Sequence, residues 1–299
     1  MGSLPPCLRG SNTVATRLIF GCGYLGRRAA QRWLERGDRV VAVTRHPARA
    51  TAFRADGLEA FVGDVTQPAT LVRLPDAETL LYAVGYDRSA DPTIHEVYAE
   101  GLQNVLAAAS SATERVVYIS TTGVYGDAGG DWIDETTPPA PSRDGGRASL
   151  AAEQVLAASP WGDRSVILRL AGIYGPDRLP YAAALRAGEP IAAPQTGWLN
   201  LIHVDDGASA VLAAADHAAP PALVCVCDGQ PAVRRDYYAE AARLLNAPPP
   251  TFVAPAADSP RAARAAADKR VRNTVLTGRL GVKPSYPSYR EGLAAILGD

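Results

Sequence analysis

Three glycines carry the most chemical information in this chain: Gly21, Gly23 and Gly26, in the run Phe20-Gly21-Cys22-Gly23-Tyr24-Leu25-Gly26. A short apolar segment, 17–21, precedes them; an amphipathic helical pattern over 24–36 and a second apolar segment, 39–44, follow. In such a strand–turn–helix–strand setting each glycine has a mechanical reason. Gly21 turns the chain sharply, Gly23 lets the backbone approach a pyrophosphate, and Gly26 lets the helix pack closely on the strand. The loop residues Cys22, Tyr24 and Leu25 then bring backbone N–H groups and the positive end of a helix dipole to the phosphates. A ligand-free strand–turn–helix is the alternative, and the strand that follows at the right distance argues against it.

The ends of the other apolar segments supply further candidates. A site that prefers NAD places an acid about twenty residues past the glycines, on the ribose 2′-hydroxyl. Here that strand ends Thr44-Arg45-His46, with no acid. The Arg45 fork suits a 2′-phosphate, which predicts NADP over NAD; a solvated loop arginine is the bland reading. Asp64 and Val65 are placed to meet the adenine, although Asp64 also reads as a helix cap. Ala83, Val84 and Gly85 are small enough for a cofactor to pass. Tyr86 and Tyr125 sit just past strand ends, where each reads as a proton donor or as a pocket wall. An unassisted tyrosine titrates near ~10 and needs a cation beside it to work at neutral pH. Trp132, in the acidic glycine-rich loop 127–135, could stack on a ring or pack the loop. Arg147 could lend charge to the site or face solvent. Arg178 could hold a phosphate or carboxylate at the mouth, or form a surface salt bridge. His203 reads first as a packed histidine, and Asp205 as a helix N-cap.

These residues need a framework. Apolar runs at 17–21, 39–44, 59–62, 79–84, 115–120 and 165–170 alternate with helical patterns near 24–36, 47–55, 68–73, 93–110 and 147–158. That alternation predicts an α/β fold, a doubly wound parallel sheet with its cleft at the strand C-termini. Past 171, prolines 176, 180, 190 and 194 break the pattern; a strand near 199–204, a helix over 205–216, a strand at 222–227 and short helices near 274–280 and 288–297 follow. The expected division is an N-terminal extension 1–15, a Rossmann-like domain of 14–170 plus 199–228, and a smaller substrate lobe of 171–198 plus 229–299.

With 47% hydrophobic residues and a net charge of −1, the chain can bury a large core and offers nothing that calls for nucleic acid or an anionic membrane. No apolar run reaches the ~18 residues of a membrane span. The four cysteines, Cys7, Cys22, Cys225 and Cys227, form no C-x-x-C pair and lack clustered histidines, so no metal site is expected. Free thiols in a reducing cytoplasm are the ordinary reading.

Three further motifs carry a family resemblance. They are Tyr118-Ile-Ser-Thr121-Thr-Gly-Val-Tyr125-Gly126, Leu168-Arg169-Leu-Ala-Gly-Ile-Tyr174-Gly175-Pro176 and Asn200-Leu-Ile-His203-Val-Asp205-Asp206. With the tail Lys269-Arg-Val-Arg-Asn273, the chain from about 16 to 297 resembles the extended short-chain dehydrogenase/reductase family, the nucleotide-sugar epimerase and dehydratase group. That resemblance implies a Tyr-x-x-x-Lys pair, yet anchoring on Glu153 puts Gly145 at the Tyr position and Ser149 at the Lys position. The family's helix-borne Asn falls at Tyr98, three residues before Gly101. Thr121 alone matches the catalytic Ser/Thr hydroxyl, and Phe20 stands where extended members have their first glycine. These departures are similar to those of the "atypical" subgroup.

The function expected from the resemblance is an NADP-binding oxidoreductase or epimerase-like enzyme acting on a small sugar-like or nucleotide-linked substrate. Thr121, and on one reading Tyr125, would serve the reacting oxygen. The rival is an NADP-binding sensor or interaction protein without turnover. The resemblance also implies a homodimer, paired through helices that carry Val97, Leu102, Val105, Leu106, Leu150, Val155 and Leu156.

Overall fold

The computed structural model describes residues 14–257 and 259–298, so Cys7 and nearly all of the expected N-terminal extension lie outside the described residues. Seven strands form one sheet: β1 (Thr16–Phe20), β2 (Arg39–Thr44), β3 (Glu59–Val62), β4 (Thr79–Tyr82), β5 (Arg115–Thr121), β6 (Ser165–Leu170) and β7 (Leu223–Val226). Their order is β3-β2-β1-β4-β5-β6-β7, and every neighbouring pair is parallel. The direction of winding reverses between β1 and β4, which opens a crevice at their C-terminal ends.

Alternate residues of the strands feed two cores. Ile19, Leu81, Val117 and Leu168 face α1 (Tyr24–Glu35) and, later in the chain, the helix Val204–Asp216, with Trp33 fully buried between them. Leu18, Phe20, Leu80 and Val116 face α3 (Gly101–Ala108) and α4 (Asp144–Ala158). Burial on both faces explains why these strands read as nearly unbroken apolar runs. The segment between β2 and β3 is α2 (Pro47–Ala55), opened by a proline at its first turn. We call the Val204–Asp216 helix α5. A third core, of Tyr174, Leu185, Ile191, Tyr237, Tyr238 and Leu293, joins α6 (Arg234–Leu244) to α7 (Tyr289–Leu297).

Four elements depart from the sequence pattern. The expected helix 68–73 is a short 3₁₀ turn, Pro68–Leu71. The expected helix 93–110 is a π turn, Glu96–Glu100, followed by α3. There the buried Tyr82 hydroxyl donates to the Val97 carbonyl at 2.6 Å, and a side chain inserted into the helix ladder widens it locally. The helix expected from 147 starts at Asp144. The strand expected at 199–204 splits into Trp198–Leu199 and Leu201–His203 around Asn200. Asn200 turns its amide to the Lys269 carbonyl (2.9 Å) and the Val271 N–H (2.7 Å), pinning the tail to this segment.

The apolar residues behind the expected dimer are largely used inside the chain: Val97, Leu102, Val105, Leu106 and Leu156 are buried, whereas Leu150 and Val155 are partly so. Among the described residues no helix is long and apolar enough to cross a membrane.

Candidate functional site

A cleft of about 1850 Å³ runs along the C-terminal ends of the strands. Ligand pockets usually span roughly 300–1,000 Å³, so this one has room for a dinucleotide and a second molecule.

The glycine loop forms one end, and the conformations match the mechanical reasons read from its spacing. Gly21 has φ +87°, and a Cβ there would run into the Ala83 carbonyl. A Cβ on Gly26 would strike the Gly21 carbonyl. Gly23 has nothing of the protein within 4 Å of where a Cβ would sit, so its open side is available to a ligand. No side chain caps α1 and no acid occupies its first turn, which leaves the N–H groups and the helix dipole for an anion. Cys22, Tyr24 and Leu25 line this end with the glycines, and Ala83, Val84 and Gly85 form the opposite wall.

Arg45 also lines the cleft, together with Arg49, which sequence reasoning missed. Arg45 is engaged with Asp87 at 2.9 Å and with His46 at 3.0 Å. Asp64 and Val65 line the cleft; one Asp64 oxygen accepts the Thr66 N–H at 2.9 Å in a local turn, while Gln67 holds the N-cap position of the 3₁₀ turn that follows, so Asp64 is not the helix cap of its alternative reading. Arg178 leans over the Tyr24 ring (5.2 Å), and the Tyr24 hydroxyl donates to the Pro176 carbonyl at 2.7 Å. Arg178 therefore stands on the glycine side of the cleft, not at its far end.

At the centre, Thr121 closes β5. Its hydroxyl oxygen accepts the Gly123 N–H at 3.0 Å, and the residue lines the cleft. A Cβ on Gly123 would lie 3.1 Å from an Arg143 nitrogen and 3.2 Å from the Thr121 hydroxyl, so guanidinium and hydroxyl flank one point. Gly145 faces open cleft, with only Ile94 within van der Waals distance of a Cβ there. Gly146 packs so close to the turn that a Cβ would come 2.7 Å from the Gly123 carbonyl. Ser149 is buried and hydrogen-bonds Tyr118, whose phenol is pushed up mainly by burial. Tyr98, on the π turn, lines the cleft with its hydroxyl bonded by the Tyr86 backbone; burial raises its pKa too. Tyr86 lines the same wall, and Arg147 sits exposed at the rim, paired with Asp144.

Behind this centre lies a buried ion pair. Arg169 on β6 forks onto Glu153 of α4 at 3.0 and 2.6 Å, and Ser120 donates to the same carboxylate at 2.5 Å. Sequence reasoning used Glu153 only as an alignment anchor; here it ties β5, β6 and α4 together.

Two candidates leave the site. Tyr125 is 3% exposed and does not line the cleft. Its ring lies under Arg169 (4.7 Å), its hydroxyl meets Cys225 Sγ at 3.2 Å, and burial pushes its pKa up. It faces the core because the chain turns after Thr121. Trp132 is 39% exposed, outside the cleft, with Arg270 and Arg272 over its ring at 5.1 and 4.9 Å. The tryptophan that does line the cleft is Trp198.

The far end is built by residues with no spacing to betray them: Arg143, Trp198, Arg234 and Lys269. Lys269, buried, donates to the Gly126 carbonyl at 2.6 Å. Burial first, then Arg143 and Arg234, brings its pKa down to about 8 against the opposing pull of Asp127 and Asp268. The only sequence signal was the Lys269–Asn273 tail. His203 is packed as read, on Tyr286 at 3.9 Å, and burial lowers its pKa. It is His203 that caps α5, accepting the Asp205 N–H at 3.2 Å, while Asp205 pairs with Arg28 at 3.0 Å. No group of three or more metal-ligating side chains comes together among the described residues.

The model of the NAD dependent epimerase/dehydratase family matches residues 18–226. The chain belongs to that family. A curated relative, protein YeeZ of Escherichia coli, is 30% identical over 240 residues, covering 78% of this chain and 85% of its own. The 3-diazoavenalumate denitrifying reductase of a Streptomyces species is 31% identical over 310 residues, covering 85% of this chain and 97% of its own. Among solved structures, the Bordetella bronchiseptica enzyme WbmG in complex with NAD superposes with a TM-score of 0.81 at 22% identity, over 97% of this chain and 95% of that one. The epimerase/dehydratase frame thus accounts for the sheet, the glycine loop and the cleft.

Proposed function

We propose that this chain is an NADP-dependent oxidoreductase of the epimerase/dehydratase family, acting at a carbinol carbon of a small substrate, sugar-like or nucleotide-linked as the family resemblance implies. The observation that carries the cofactor is the open side of Gly23, with Arg45 just past β2 and Arg49 on α2 lining the same cleft. The residues fit a dinucleotide: α1 and the glycine loop would hold its pyrophosphate, Asp64 and Val65 its adenine, and Arg45 with Arg49 its 2′-phosphate. When bound, the nicotinamide supplies hydride chemistry. The complex of WbmG with NAD and the reductase name of the Streptomyces relative support a redox role.

Thr121 accepts from Gly123, which leaves its hydroxyl hydrogen to donate to the reacting oxygen. Gly145 and Ser149 supply no Tyr-Lys pair, so the proton must come from another element. We assign it to Tyr98, the phenol of the π turn, one turn from the Ile94 that faces Gly145. Burial raises the Tyr98 pKa, which makes the phenol a weaker acid; its role is therefore to hydrogen-bond the reacting oxygen and give up its proton only to a strongly basic alkoxide. A donor in the cleft favours an enzyme over the sensor reading. Pairing of two copies draws its support from the family resemblance alone, since even Leu150 and Val155, the least covered of these apolar residues, pack against the chain's own cores; light scattering at micromolar concentration tests it.

Fluorescence titration of NADPH and NADH, beside a substrate screen at the nicotinamide absorbance, tests the function. NADPH should bind more tightly. Arg45→Ala should weaken NADPH by roughly 1.5–3 kcal/mol, the range of a charge-assisted hydrogen bond, and leave NADH nearly unchanged. Equal or tighter NADH binding sinks the NADP assignment. Tight NADPH binding with no turnover across the screen would favour the sensor.

A further inference from the structure

The cleft end away from the glycine loop gathers Arg143, Arg234 and Lys269 from three distant segments. Arg234 is 7% exposed and Lys269 6%. Lys269 donates to the Gly126 carbonyl, and Arg234 donates an Nη2 hydrogen to the Ala265 carbonyl at 3.3 Å. The Arg234 Nε is buried without any hydrogen-bond partner. Buried arginine donors are almost always satisfied, so this guanidinium, which lines the cleft, is a cation that the protein leaves under-satisfied.

The nearby carboxylates hydrogen-bond other groups, although Asp268 stands beside Arg234 and offsets part of its charge. Asp268 accepts the Trp198 N–H at 2.7 Å, and Asp127 accepts the Asp268 N–H at 2.7 Å. Neither lines the cleft; Asp144, which does, is paired with Arg147 at the rim. Trp198, Tyr181 and Tyr238 line the same end and give it flat apolar surfaces.

We propose that this end of the cleft binds the anionic head of the substrate, a carboxylate or a phosphate, with the guanidinium of Arg234, Lys269 and Arg143 around it. The body of the ligand would lie against Trp198, Tyr181 and Tyr238. This rests on the reading of the cleft as a joint cofactor and substrate site, and it assigns the substrate's charge.

An anion here also has a titration signature. The charged groups facing Lys269 are Arg143 and Arg234, which lower its pKa, and Asp127 and Asp268, which raise it. With Lys269 held at about 8, a bound anion pulls the ammonium pKa upward. Binding near pH 8.5 then takes up a proton, and affinity falls as pH climbs further.

Calorimetric titration of the full chain, with and without NADP, tests this using benzoate, the neutral isostere benzamide, and inorganic phosphate. At pH 7, with NADP occupying the glycine end, benzoate or phosphate should bind at one site, with benzamide at least about tenfold weaker than benzoate, the factor that 1.4 kcal/mol represents. Arg234→Ala and Lys269→Met should each cost about tenfold or more in anion affinity, a similar step, and leave NADP affinity unchanged. Benzoate binding without phosphate assigns a carboxylate; phosphate binding without benzoate assigns a phosphate. Benzamide equal to benzoate, anion affinity untouched by either substitution, or no anion binding at millimolar concentration would each overturn the proposal. Should the variants fail to fold, the benzoate–benzamide comparison and proton uptake on the unmodified chain decide it. Failure of NADP to bind, with anion binding intact, counts against the cofactor reading alone.

Discussion

At the glycine end of the cleft, the cavity is framed first by main chain from one short stretch, 21–26, at the start of α1, with Arg45 and Arg49 beside it. At the opposite end it is framed by side chains, from 143, 198, 234 and 269, held in place by Asn200 and Asp268 through contacts about seventy residues apart in sequence. The first kind of recognition depends on where the backbone can go and tolerates few residue types. The second can be rewritten one side chain at a time over an unchanged frame. A family can therefore keep one cofactor loop while its members diverge in what they bind beside it.

The sharpest test contrasts two glycines of the loop. Gly21→Ala forces a Cβ into the Ala83 carbonyl at positive φ, so NADP affinity should fall by about 100-fold or more, roughly 3 kcal/mol, with a drop in Tm. Gly23→Ala meets no protein atom and should keep its Tm while losing cofactor affinity. Loss of stability at Gly23 with cofactor affinity intact would break the claim that its open side serves a ligand.

At the centre, Tyr98→Phe should lower kcat by roughly 10²–10⁴-fold, the usual worth of acid–base assistance, with NADPH affinity unchanged. Tyr125→Phe, in the core, should leave kcat alone. The reverse result in stopped-flow assays would put the proton donor back at the strand end.

Outside the cleft, one buried carboxyl group should make stability respond to pH. Asp228, just after β7, is buried with one oxygen unpartnered; burial, then Asp206 and Glu291, raises its pKa to about 7. Its folded pKa lies above the unfolded value of 3.8, so the folded state binds the proton more strongly. This group's contribution is most favourable at low pH and is lost as pH rises through about 7. Asp228→Asn should stabilise the chain above pH 7 by on the order of 1–3 kcal/mol, and much less near pH 4. Denaturant melts at the two pH values measure the difference, and a pH-independent effect would contradict it.

The smallest effect separates two tryptophans. Trp132→Ala should cost about 1 kcal/mol or less, the scale of exposed cation–π contacts, and leave ligand binding unchanged. Trp198→Ala should weaken substrate binding. Equal effects on binding would erase the distinction between them.

The sheet was legible because strands buried on both faces read as apolar runs, and the glycine loop because its geometry is local. What the sequence hid was set by distant partners. The π turn follows from a Tyr82 hydroxyl fifteen residues away taking the Val97 carbonyl. The break at Asn200 depends on backbone at 269 and 271. Tyr125 faces inward toward Arg169 and toward Cys225, a hundred residues further along the chain. Arg143 and Arg234 open helices and look like ordinary first-turn residues until the fold brings them together.

The described cysteines give the fold its own chemical clock. Cys22, Cys225 and Cys227 are free and buried, and burial pushes Cys22 to about 11 and Cys225 to about 12, with Cys227 raised as well. Alkylation needs the thiolate, so in a Cys7→Ser background reagent consumption would be gated by local opening rather than by intrinsic reactivity. Cys22 would report breathing of the glycine loop, and the Cys225–Cys227 pair fraying of the β7 edge. Two labelling rates in one tube would then read the rigidity of two parts of the fold separately, with no probe added.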